Sequence, residues 1–153
     1  MVEEQKQIRQ AWVVFTNHTC LPWLKIFKRD FRHCFVIIND GTHWISIDPM
    51  AHYMDVVVHE VSASFDLPSW LVGRGHHVAR AHVNADLKTP APWMVFTCVE
   101  ACKRVLGIHN RFIVTPWQLF KFLRQPQGQD KCHGTRRLVS IFQIFKKESY
   151  YYG

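Results

Sequence analysis

The run FRHCFVII, the tetrapeptide Asn39-Asp40-Gly41-Thr42 and the run HWISID restrict this chain more than any other stretch. Two apolar segments joined by Asp-Gly read as a β-hairpin, because both central positions of a type I′ turn need positive φ. With Asp40-Gly41 as the turn, Asn39 faces Thr42, Ile38 faces His43, and His33 faces Asp48. A four-residue turn over 39–42 keeps the same partners, whereas a one-residue slip would send His33 and Asp48 to opposite faces. Directly opposed side chains have Cβ atoms about 4.5–5.5 Å apart. A carboxylate at that distance orients an imidazole, fixes its tautomer and keeps it basic. The plainer alternative is that Asp48-Pro49 only starts a turn while His33 is a half-buried core residue.

The rest of the chain reads as alternating short elements. Residues 11–16 (AWVVFT), 54–61 (MDVVVHEV) and 77–83 (HVARAHV) have strand composition, and 112–114 is a shorter strand candidate. Residues 21–27 and 68–72 read as short helical pieces, and 84–92 (NADLKTPAP) as a loop or crossover. The best-marked helix follows Thr97. Thr97 and Glu100 have capping-box spacing, Val99, Cys102, Val105 and Leu106 make an apolar stripe, and Gly107 occupies the position of a terminating glycine. Glu100, Lys103 and Arg104 are expected on its outer side. Thr115-Pro116-Trp117-Gln118 repeats the box with proline at the first helical position, opening a last helix that ends near Arg124. Trp12, Trp44, Trp93 and Trp117 lie in or beside these elements and are expected to build core. The fold class is therefore α+β: a central antiparallel sheet packed by the Cys98 helix and a second helix.

Cys98 is the first residue of the capped helix. Thiolate is the reactive form of cysteine, and unpaired amides at a helix N-terminus stabilise it; the same amides can hold an oxyanion. Against this, most free cysteines are small buried hydrophobes. Cys98, His33 and Asp48 together have the logic of a nucleophile, its base and the orienter of that base. The segments FRHCFVII, HWISIDP and PWMVFTCVEACKRVLGI resemble the papain-like NlpC/P60 superfamily. Because histidine and aspartate precede the cysteine, the order is similar to its circularly permuted branch. The resemblance spans about residues 11–124 and implies Cys98 as nucleophile, His33 as base and Asp48 as orienter. It implies a thiol hydrolase that cleaves an amide bond in a peptide or peptidoglycan-like substrate. Phage tail-associated proteins and acyl-transferring or lipid-acting enzymes also belong to the superfamily. Trp93, Asn17 and His18 are candidate side-chain donors to the oxyanion.

Residues 1–124 read as one catalytic domain and 125–153 as a basic C-terminal extension. Of the formal net charge of +7, residues 121–153 hold seven cations against Asp130 and Glu148. Such an end attracts anionic polymers nonspecifically or is simply solvated. A non-enzymatic phage or assembly module that keeps the fold and binds an anionic polymer is thus the second functional expectation. With 48% hydrophobic residues the chain can bury a core, and no apolar run reaches the ~18 residues of a membrane span. Met1 to Gln10 lack the apolar stretch of a secretory signal, so cytoplasmic synthesis and no membrane partner are expected. The five cysteines, Cys20, Cys34, Cys98, Cys102 and Cys132, are an odd number and fit reduced thiols better than a disulfide framework. None of the His and Cys spacings matches a zinc site, and no phosphate-binding glycine motif occurs, so no metal and no cofactor are expected.

Overall fold

A computed structural model describes residues 10–18, 25–83 and 90–125. Its elements, in order, are β1 (Gln10–Thr16), β2 (His33–Asn39), β3 (Trp44–Pro49), β4 (Met54–His59), α1 (Leu67–Gly73), β5 (His77–His82), α2 (Cys98–Leu106) and α3 (Pro116–Arg124). The five strands form one antiparallel sheet in the order β4-β3-β2-β1-β5, and helices pack on it. The fold is α+β. Cys20, residues 21–24 of the short helix expected at 21–27, residues 84–89 of the loop expected at 84–92, Cys132 and the basic end from 126 onward lie outside the described residues.

β1 shows how the sheet is covered. Ala11, Val13 and Phe15 join Cys34, Val36, Ala79 and Ala81 in a core with Val99, Cys102, Leu106, Leu119 and Phe120 of α2 and α3. Val14, with Trp12 beside it, points to the other face, where Ile37, Trp44, Leu67 and Leu71 form a second core beneath α1. A strand apolar on both sides must be covered on both, which is why AWVVFT lacks polar alternation. α2 lies on β2 and β3, while α3 lies on β1 and β5.

The hairpin between β2 and β3 departs from the expected turn. The observed partners are Asn39↔Trp44, Ile38↔Ile45, Ile37↔Ser46 and Val36↔Ile47, two residues out of the expected register. The cause is local. The Asp40 carboxylate accepts from the amides of Thr42 (2.8 Å) and His43 (2.6 Å), and the Asn39 carboxamide accepts from the Gly41 amide (2.8 Å). These side-chain bonds shape a four-residue loop over 40–43 in which only Gly41, at φ 92°, has positive φ. A type I′ turn would have required positive φ at Asp40 too.

Three further expectations are corrected. Residues 112–114 are turn and coil rather than strand. Trp93 is 91% exposed and builds no core. On α2, Glu100 and Lys103 are buried instead of facing outward, because the loop before α3 covers that side. The Lys103 ammonium meets the Glu100 carboxylate at 2.6 Å and donates to the Ile113 carbonyl at 3.2 Å, so the buried charge is paired and hydrogen-bonded.

Candidate active site

Thr97 accepts the Glu100 amide at 3.3 Å, in extended conformation, and so begins α2 at Cys98. The reciprocal half of the expected capping box is absent from the hydrogen bonds described for Glu100. That carboxylate is held by Lys103 and, at 3.2 Å, by Arg104. The complete box is at α3, where Gln118 accepts the Thr115 amide at 3.0 Å and donates its own amide to Thr115 at 3.3 Å. Gly107, at φ 69°, ends α2 as the sequence indicated. The helix therefore presents Cys98 at its first turn, with the positive end of the dipole beneath the sulfur.

His33 and Asp48 are joined: His33 Nε2 and Asp48 Oδ1 are 2.6 Å apart. They are not the directly facing pair that the turn suggested. In the observed register Asp48 falls level with Phe35, which makes His33 its diagonal neighbour. A slip of two residues keeps every side chain on its own face, and a diagonal neighbour remains within reach of a histidine ring. The contact thus survives an error in register because that error was even.

The β2–β3 ladder stops at Val36↔Ile47. Beyond it, β2 continues against β1 alone and β3 against β4 alone, so the sheet opens between His33 and Asp48. That opening explains an otherwise awkward fact. His33 and Cys34 are consecutive on a strand and point to opposite faces, yet both touch Cys98. Cys98 packs against the core on the face of Cys34, and the end of the β2–β3 ladder leaves the His33 ring room to reach it. With Nε2 occupied by Asp48, Nδ1 is the ring nitrogen available to the sulfur.

Electrostatics follow from these contacts. Donation from the Cys34 thiol is the largest influence on Cys98; against burial, and with the bond and charge of His33, it brings the Cys98 thiol down to about 5. Burial alone would lower the His33 pKa, but the hydrogen bonds to Asp48 and Cys98, together with their negative charges, raise it to about 10. Burial, followed by the nearness of Cys102 and Cys98, pushes the Cys34 thiol well above its ordinary range, so Cys34 keeps the proton it donates. Cys102 in turn donates to the Cys34 sulfur at 3.7 Å or to its carbonyl at 3.6 Å. Between pH 5 and 10 the pair is thiolate and imidazolium.

All three residues singled out from the sequence, Cys98, His33 and Asp48, therefore meet. Cys34 was not singled out. Its signal was its place next to His33, on the strand face that α2 covers, but sequence alone does not show which strand lies under the helix. Among the described contacts none joins Asn17, His18 or Trp93 to Cys98. Among the described residues no group of three or more His, Cys, Asp and Glu side chains is arranged to hold a metal ion, and no helix is long and apolar enough to cross a membrane. Comparison with family models, curated proteins and solved structures returns no match.

Proposed function

We propose that this protein is a thiol hydrolase that cleaves an amide bond through Cys98, His33 and Asp48, in the manner of the permuted papain-like NlpC/P60 enzymes that its sequence resembles. The observation that carries the reading is Cys98 at the N-terminus of α2 with Asp48 bound to His33 Nε2, and the shifts of Cys98 and His33 agree with it. The Cys98 thiolate attacks the carbonyl carbon, and the first-turn amides of α2 receive the negative charge that develops on oxygen. The His33 imidazolium gives its proton to the leaving nitrogen as the C–N bond breaks, leaving a thioester on Cys98. Neutral His33 then takes a proton from water, whose oxygen attacks the thioester carbonyl. The acid departs and the thiolate and imidazolium are restored. Asp48 keeps the ring in place throughout and offsets its charge.

Cys98 is partly buried and packs against the core beneath α2. Two surface cavities, of about 310 and 430 Å³, are lined by other residues. Neither cavity includes Cys98, which favours an extended substrate such as a peptide over a small enclosed one. Val95 and Phe96, 73% and 61% exposed just before Cys98, offer it an apolar surface. The test is incubation of the protein with peptide and peptidoglycan fragments, read by mass spectrometry for new termini. Cleavage by the wild type and none by Cys98→Ala supports the reading. Cleavage that persists in Cys98→Ala, or an electrophilic peptide probe that labels other cysteines but leaves Cys98 untouched, overturns it.

A further inference from the structure

β4 is an edge strand, and five of its six residues are exposed. Its middle is three valines, Val56, Val57 and Val58, which are 57%, 40% and 56% exposed. Because alternate residues point to opposite faces, the strand is apolar and open on both sides as well as along its backbone edge. An uncovered strand of this composition invites pairing with another strand.

The sequence of the strand indicates which partner fits. Asp55-Val56-Val57-Val58-His59 reads apolar about Val57, with an acidic residue at one end and a histidine at the other. We propose that β4 pairs antiparallel with β4 of a second copy about a two-fold axis at Val57, giving a dimer with a continuous ten-stranded sheet. A two-fold axis perpendicular to the sheet keeps each face on its own side. Residues facing each other across the axis must then share parity, which removes every odd register. Of the even registers, the one centred on Val57 sets Asp55 against the second copy's His59, twice by symmetry. It also places Val56 against Val58 and Val57 against itself, so the exposed valines cover one another. Registers centred on Val56 or Val58 set Asp55 against a valine instead. His59 Nε2 is bonded to Ser46 Oγ at 3.0 Å, which leaves Nδ1 for the carboxylate across the axis. Asp55 also faces Asp48 across the β3–β4 ladder, so the assembly is tested by mass and exchange rather than by turnover.

Sedimentation velocity on the full-length chain over a range of concentrations tests the proposal. The wild type is expected to reach dimer mass, and deuterium exchange at 54–59 is expected to slow on going from dilute to concentrated protein. Val57→Lys sets two ammonium groups together on the axis and is expected to give monomer with an unchanged circular dichroism spectrum. Asp55→Lys is expected to weaken the dimer about tenfold, since two carboxylate–imidazole contacts are lost at once. Asp55→Lys/His59→Glu restores opposite charges across the axis and is expected to recover the dimer. A wild type that remains monomeric at hundreds of micromolar overturns the proposal. So does a dimer with no concentration-dependent protection at 54–59, or one that Asp55→Lys leaves unchanged.

Discussion

Replacing His33 with glutamine keeps a polar side chain at the start of β2 but removes the positive charge facing Cys98. The consequence is measurable without knowing the substrate. A thiol at the ordinary value of 9.0 is about 0.1% thiolate at pH 6, whereas one at about 5 is roughly 90% thiolate, a gain of about 900-fold. Nucleophilicity falls with basicity, however, with a Brønsted slope of about 0.4–0.5, so four units of pKa cost roughly 40- to 100-fold in intrinsic rate. The net advantage at pH 6 is about 10- to 20-fold. The two effects cancel where an ordinary thiol is about 1–2.5% ionised, at roughly pH 7–7.4, and above that an ordinary thiol reacts faster. Cys98 should therefore outpace a free thiol with iodoacetamide below neutrality and trail it above. The assay is pseudo-first-order alkylation from pH 4 to 10, with the labelled cysteine assigned by mass spectrometry and glutathione as reference. The wild type should show an inflection near pH 5 and a plateau beyond it, and His33→Gln should move the inflection upward. An inflection between pH 8 and 9 in the wild type, unmoved by His33→Gln, would refute the ion pair.

Turnover should rise as pH increases through about 5, where Cys98 loses its proton, and fall through about 10, where His33 loses the one it must donate; a kcat/KM profile with no loss on the acidic side contradicts this. Asp48→Asn, which keeps the shape but removes the charge, should lower kcat by orders of magnitude and shift the alkaline limb downward, as a steady-state pH series would read. Cys34→Ala removes the largest support of the thiolate, so the alkylation inflection of Cys98 should rise in that variant while the far-ultraviolet spectrum stays the same. Lys103→Met deprives buried Glu100 of its 2.6 Å partner and should cost about 3 kcal/mol in urea unfolding. Lys103→Met/Glu100→Leu should recover most of that loss, because no buried charge is left unpaired.

Local signals in the sequence carried much of the result. Thr97 and Gly107 mark both ends of α2, because a side-chain acceptor for a first-turn amide and a residue at home at positive φ act over three or four residues and need no tertiary context. The alternation of FRHCFVII and HWISID placed His33 and Asp48 on one face, and that parity held although the turn did not. The chemistry of Asn39 and Asp40, which decides between a two- and a four-residue loop, depends on competing side-chain bonds that a dipeptide preference does not rank. Burial was hardest to read. Lys103 and Glu100 look like surface residues until the loop before α3 closes over them, and Trp93 looks like core until no element covers it. The meeting of Cys34 with Cys98 is likewise tertiary, since it depends on which strand α2 crosses and on where the β2–β3 ladder ends. Sequence thus determined most of the elements, both ends of α2 and the shared sheet face of His33 and Asp48, because those are set by neighbours within a few residues. Only the packing of distant segments decided the register, the buried ion pair and the thiol that supports the nucleophile.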